Sequence, residues 1–305
     1  MQRVKDVHSG QYIPDFVHKN TKNIKTDKTE MSWTKVVAIT GCDSGLGWAI
    51  AARAAREGLV TVAGMYKGTN TEASHALKKL CAHPYNLDVT DNKSIAEFHN
   101  YVKILLKNNP NYKLYAVVNN AGVMAIGDYE WHTPQIIENI INVNLLGAMR
   151  IVSSFLPDLQ QSALDGVKPR IVNVASHCGL QPLPGFGSYS ASGFVGSSNL
   201  MANQFQNGNI MLQHLSDDQK YLHEKKLKAL NDYLKHASKC VKYDSLNDEN
   251  IIETFMKALI VDNPKKIYKV ESWRYKFYYN LFKIPFPDTI HKWLIKRFLS
   301  FPDCE

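Results

Sequence analysis

Short, wholly apolar runs alternate along the first 175 residues with segments whose apolar positions recur every three or four places. A continuous apolar run of a few residues marks a strand buried on both faces, and the longer recurrence marks a helix with one buried face. The pattern predicts strands over 36–40, 59–65, 85–89, 115–119 and 170–174. It predicts helices over 48–57, closed by Gly58, and over 71–80, 93–106 and 135–156. Strands alternating with helices make βαβ units, whose crossovers are right-handed and whose sheet is parallel. The expected fold class is α/β, a Rossmann-type doubly wound parallel sheet.

After Tyr189 the alternation stops. Residues 193–208 are rich in Gly, Ser and Asn, and polar helical patterns follow at 216–239 and 247–259, with 267–270 a candidate last strand. Residues 273–299 mix aromatics with six basic residues and one acid. The expected organisation is a flexible polar arm over 1–33, one domain over 34–270 whose part at 193–260 is a substrate loop with helices, and an aromatic and basic extension over 271–305.

With 45% hydrophobic and 21% charged residues among 305, the composition is that of a globular protein. It excludes an acidic disordered tail, a collagen-like repeat and a small disulfide scaffold. Lys and Arg number 36 against 28 Asp and Glu, a net charge of +8 that suits an anionic ligand or a membrane surface. The basic residues are spread along the chain, so no nucleic-acid partner is expected. The 5 cysteines have no CxxC spacing and the 11 histidines no HxxxH spacing, which points to reduced thiols and no metal. No uninterrupted apolar run nears the roughly 20 residues of a membrane span, and no apolar core of a signal peptide opens the chain. An intracellular protein is expected, cytoplasmic or peripheral on an organelle membrane.

Four stretches carry candidate chemistry. Thr40-Gly41-Cys42-Asp43-Ser44-Gly45-Leu46-Gly47 joins a predicted strand to a predicted helix. Gly41 permits a tight turn, Gly45 lets the backbone approach a pyrophosphate, and Gly47 allows close helix–strand packing. The helix start then offers free N–H groups to the phosphates; the plainer alternative is a simple βα turn. Asn119-Asn120-Ala121-Gly122 ends the fourth strand at the same carboxyl edge, or is merely a turn. Asp88 closes the third strand, where its carboxylate reaches an adenine amino group or else bonds locally at the turn. Ser176 follows the fifth strand and Tyr189 lies thirteen positions later. A hydroxyl beside a phenol holds a carbonyl or alcohol oxygen and passes it a proton, although each residue alone is an ordinary loop polar group.

Together these motifs resemble the short-chain dehydrogenase/reductase family, over most of residues 35–192. The wording of the glycine turn, with Asn-Val-Asn-Leu-Leu-Gly at 142–147, is similar to the branch of retinol, 17β-hydroxysteroid and 3-hydroxybutyrate dehydrogenases. The resemblance implies an NAD(P)-dependent oxidoreductase that interconverts a hydroxyl and a carbonyl on a hydrophobic steroid, retinoid or similar substrate. It implies that Gly41, Ser44, Gly45, Leu46 and Gly47 line the pyrophosphate, Asp88 and Val89 face the adenine, and Asn120, Ala121 and Gly122 border the ribose. Tyr189 becomes the catalytic acid/base, Ser176 the holder of the reacting oxygen, and Asn144 the anchor of a water in a proton relay. A homodimer is usual in the family.

One departure changes that expectation. The family has Tyr-x-x-x-Lys, and here the fourth residue after Tyr189 is Gly193. The lysine holds the nicotinamide ribose and lowers the tyrosine's pKa; an ordinary phenol of pKa ~10 is ionised to about one part in a thousand at pH 7. Gly193-Phe194 moreover resembles the Gly-Phe that follows the family's sixth strand, as if some 25–30 residues, one helix and one strand, were absent. A skipped exon, an error of gene assembly or a decayed paralogue each produces such a junction. The alternative function is then a catalytically impaired dinucleotide-binding protein or truncated isoform, without the helix that makes much of the usual dimer contact. Residues 63–67 (Ala-Gly-Met-Tyr-Lys) lack both the acid that selects NAD and an Arg for a 2′-phosphate. Lys67 suits a phosphate and Asp43 repels one; the resemblance to the branch implies a slight preference for NAD over NADP. The 273–299 segment is a candidate for peripheral membrane contact, or else a set of helices over the substrate cleft.

Overall fold

The apolar run at 36–39 forms the middle of a five-stranded parallel sheet in the computed structural model of the chain. The structure describes residues 33–180, 182–193, 204–238, 242–244, 246, 248–270 and 273–299. The arm at 1–32 and the stretch at 194–203, with Phe194, lie outside them. The strands are β1 (Thr34–Ile39), β2 (Val60–Met65), β3 (His83–Asn86), β4 (Tyr112–Asn119) and β5 (Arg170–Asn173), in the order β3-β2-β1-β4-β5. Val36, Val37 and Ile39 are fully buried, as a strand covered on both faces requires.

Helices cover both faces. On one lie α1 (Gly45–Arg56), α2 (Glu72–Lys79) and α9 (Glu249–Ile260), whose Ile50, Leu77 and Leu259 share a cluster with Val37 and Ile39. On the other lie α3 (Asn92–Asn108) and α5 (Ala148–Leu164), whose Phe98, Phe155 and Leu159 pack with Val36 and Val117. The crossover from β3 back to β4 beside β1 makes a switch point, where the carboxyl ends of β1 and β4 open a crevice.

A third cluster lies outside the sheet. It unites Met124, Ile126 and Trp131 with Tyr189 and with side chains of α7 (Gln204–His214), α8 (Asp217–Ser238), α10 (Trp273–Leu281) and α11 (Asp288–Leu299), among them the buried Met211, Leu227 and Leu294 and the partly buried Tyr278. The short α6 (Gly187–Ser192) carries Tyr189 into it.

The structure corrects several boundaries. The third strand is His83–Asn86 rather than 85–89, so Asp88 and Val89 stand in the turn beyond it. Residues 267–270 form no strand. Residues 204–208, within the stretch expected to be loop, are helical. The helix expected over 135–156 runs unbroken through α4 (Pro134–Ile141), a π-helical segment (Asn142–Gly147) and α5. At 31 residues, Pro134–Leu164 is long and apolar enough to cross a membrane, despite lacking an uninterrupted apolar run; its Ile151, Phe155 and Leu159 are built into the sheet core.

No sixth strand occurs among the described residues, and β5 pairs only with β4. Arg170, at the start of β5 and 4% exposed, donates from Nη1 to the carbonyls of Ala258 and Val261 at 3.1 and 2.9 Å. The end of α9 is thereby tied to the strand, and its orphan carbonyls gain a cation. Arg170 also stacks over Tyr115 at 4.7 Å.

Candidate active site

The glycine turn and the end of β4 interlock. Asn120 Nδ2 donates to the carbonyls of Thr40 and Gly41 at 2.9 and 3.0 Å, and the backbone N–H groups of Asn120 and Ala121 donate to Thr40 Oγ1. A Cβ on Gly41 would lie 2.7 Å from the Ala121 Cα, and one on Gly47 would lie 2.2 Å from the Gly41 oxygen. Only glycine fits either place, so the glycine spacing is a packing requirement of the turn. The first turn of α1 follows directly; Ser44 is its N-cap but makes no side-chain cap bond.

Three features of this crevice were not legible from the motifs. Thr40 is the hub of the interlock through its hydroxyl. Asp43 accepts the backbone N–H groups of Tyr66 and Lys67 at 2.9 and 2.7 Å, which latches the turn after β2 to the glycine loop. The N–H of Gly45 donates to the Tyr243 carbonyl at 2.9 Å, while the Tyr243 ring meets Trp48 edge-on. Gly45, expected to serve a pyrophosphate, already has an acceptor.

Asp88 follows the plainer of its two readings. Its Oδ1 accepts from the Thr90 N–H and hydroxyl at 2.8 and 2.7 Å, fixing the turn into α3. Val89 is buried, with its side chain against Gly147.

Each of the three catalytic candidates has protein contacts of its own. Ser176 Oγ accepts from the Cys178 N–H at 3.2 Å as the cap of a single 3-10 turn. Tyr189 is 5% exposed within the apolar cluster, its ring 6.2 Å from that of Phe186. No hydrogen bond joins Ser176 to Tyr189 among the described residues. Asn144 is fully buried on the π-helical segment: its amide exchanges hydrogen bonds with the Val123 backbone and donates to Ser192 Oγ at 3.0 Å. Both polar atoms of its side chain have protein partners. Ser192 in turn donates to the Tyr189 carbonyl at 2.7 Å. His132 Nδ1 lies 2.8 Å from Ser188 Oγ, and burial pushes the imidazole's pKa below its ordinary value, against a smaller opposing effect of Asp128.

Gly193 caps α6 at φ +63°, in the left-handed region. The helix that would carry a lysine forward ends there, and the next described residues, from Gln204, belong to α7. A side chain at 193 would point into open space.

The chain matches the family described as short chain dehydrogenase over residues 35–215. The D-beta-hydroxybutyrate dehydrogenase, mitochondrial, of Rattus norvegicus is 27% identical over 191 residues, 61% of this chain and 54% of that protein. Retinol dehydrogenase 5 of Homo sapiens is 31% identical over 159 residues, 52% of this chain and 47% of that protein. The chain thus spans about half the length of these two. Retinol dehydrogenase 7 of Rattus norvegicus is 26% identical over 271 residues, covering 80% of this chain and 83% of that protein.

Proposed function

The chain belongs to the short-chain dehydrogenase family, and from that premise we propose that it binds NAD in preference to NADP and interconverts a hydroxyl and a carbonyl on a small hydrophobic molecule, far more slowly than a lysine-bearing relative. The observation that carries the reading is the interlock of Thr40, Gly41, Gly47 and Asn120 at the crevice between β1 and β4. Such a crevice is where open α/β sheets take dinucleotides, and the interlock sets the turn before α1 at its edge.

A bound nicotinamide supplies or accepts the hydride. The chain's own residues must then hold the cofactor, orient the substrate oxygen and move one proton. The glycine turn and the start of α1 hold the pyrophosphate by dipole and backbone N–H groups. Asp43 supports NAD: its carboxylate already occupies the two backbone donors after β2, and a 2′-phosphate there would meet a negative charge. Ser176 holds the substrate oxygen once its hydroxyl turns from the Cys178 N–H, and the Tyr189 phenol exchanges the proton with it. Met124, Leu183 and Phe186, clustered around Tyr189, favour an apolar substrate body. With no cation at 193, general acid–base assistance, typically worth about 10²–10⁴-fold, is largely forfeited.

A second reading, dinucleotide binding without turnover, is favoured by the burial of Tyr189 in the apolar cluster. Titrating the folded chain with NADH and NADPH, followed by nicotinamide fluorescence, tests the shared part. Saturable NADH binding at least about tenfold tighter than NADPH is expected, a difference of about 1.4 kcal/mol. No saturable binding up to millimolar cofactor would overturn both readings. Turnover of retinol, hydroxysteroid or hydroxybutyrate that disappears in Tyr189→Phe separates the first from the second.

A further inference from the structure

Helices α10 and α11 lie side by side and run in opposite directions. Arg274 near the start of α10 donates from Nη2 to the carbonyls of Arg297 and Phe298 near the end of α11, both at 3.1 Å. Their inner sides meet through Tyr278, Phe282 and Phe298, with ring centroids 5.1 to 6.0 Å apart, and Phe282 and Leu294 are buried. This anchors the pair on the third apolar cluster.

The other side is unusual for a surface in water. Trp273 is 82% exposed, Phe277 57% and Trp293 61%, and Ile284 and Ile290 are also exposed. Trp273 and Phe277 stand one helical turn apart on α10, and Ile290 and Trp293 share a face of α11. Exposed cations accompany them: Arg274, Lys276, Lys283, Lys292 and Arg297, against Asp288 as the one acid among residues 273–299. Large rings with wet polar neighbours and a basic surround match an interface between hydrocarbon and anionic headgroups.

We propose that the outward side of the α10–α11 pair docks on the surface of an anionic lipid bilayer, with the Trp273, Phe277, Ile290 and Trp293 side chains entering the headgroup zone and Lys276, Lys283 and Lys292 facing lipid phosphates. The excess of basic over acidic residues favours the bilayer over a second copy of the chain, which would bring the same cations together. The docking is independent of whether the site turns over substrate.

Sedimentation of the full chain with sized vesicles tests it, using phosphatidylcholine alone and phosphatidylcholine with about one phosphatidylserine in three. The chain is expected to co-sediment with the anionic vesicles, and to be released as salt rises because screening shortens the reach of surface charge. Trp273→Ala/Phe277→Ala and Ile290→Ala/Trp293→Ala should each cut the bound fraction severalfold with circular dichroism and melting unchanged. A charge-reversed Lys276→Glu/Lys283→Glu/Lys292→Glu chain should lose binding at low salt. The proposal is overturned if the chain stays in the supernatant at both compositions, or if the ring-deleted and charge-reversed chains bind as the unmodified one does. It is overturned too if those substitutions abolish a concentration-dependent dimer while vesicle binding is absent, since a second copy is then the occupant.

Discussion

The backbone N–H of Gly45 and the carbonyl of Tyr243 are joined by a 2.9 Å hydrogen bond across 198 positions of sequence, at the very helix start where a pyrophosphate would find its donors. The Tyr243 ring holds this contact in place against Trp48, with centroids 4.9 Å apart. The chain therefore supplies its own acceptor to α1, and a dinucleotide has to share or displace it.

Tyr243→Gly should loosen that segment without touching the glycine turn. A hydrogen bond of net worth about 0.5–1.5 kcal/mol corresponds to a roughly two- to tenfold tightening of NADH binding in the variant. Fluorescence titration measures it; unchanged or weaker affinity would show that the contact does not compete.

Gly193→Lys should not rescue catalysis. The residue sits at φ +63°, and an L side chain in the left-handed region costs about 1–2 kcal/mol. Melting should fall by several degrees while NADH-dependent carbonyl reduction stays flat. Inserting a relative's lysine-bearing helix and following strand between Ser192 and Gly193 should raise the rate instead. A large gain from the single substitution would mean that the lysine alone is what the site lacks.

Gly47→Ala places a methyl 2.2 Å from the Gly41 oxygen and 2.3 Å from Asn120 Nδ2. Neither is a flexible tip, so overpacking should cost about 1–3 kcal/mol and abolish saturable NADH binding. A variant that melts and binds normally would refute the interlock as the basis of the site.

Burial lowers the pKa of His132 and of His83 below the ordinary 6.5. The unfolded chain then binds more protons than the folded one between the depressed values and 6.5, so the stability these neutral imidazoles allow is complete above about pH 6.5. It declines as pH falls below that point and levels off beneath the folded pKa values. Urea midpoints measured from pH 7.5 to 5 should show the fall, and His132→Asn should reduce its slope. A pH-independent midpoint across this range would contradict the burial of both rings.

The parts of the fold visible in the sequence are those set by local pattern. Val36 to Ile39 and the glycine turn lie within a dozen residues of one another, and their apolar run and spacing leave few alternatives. The third strand was harder to place because Pro84 lies inside it; proline is tolerated there since β3 is an edge strand. The site was legible where a motif is contiguous, and obscure where partners are distant. Asp43 meets Tyr66 and Lys67 only because β1 and β2 are neighbours, and Gly45 meets Tyr243 through tertiary packing that no short motif encodes. The side chain of Asn144 carries no sign in sequence that Val123 and Ser192 will claim it.

The sheet also imposes an order of assembly. All five strands and the entire glycine turn are contained in residues 34–173, so a ribosome has delivered them before any part of α7 to α11 exists. Domains form from the amino end as they emerge, and the nascent strands can pair while the carboxyl third is still being made. What remains late is the fastening: the carbonyls of Ala258 and Val261 that receive Arg170. Until α9 arrives, the guanidinium at the open edge is without its clasp, and that interval is when the growing chain is most exposed to pairing with a neighbour's strand.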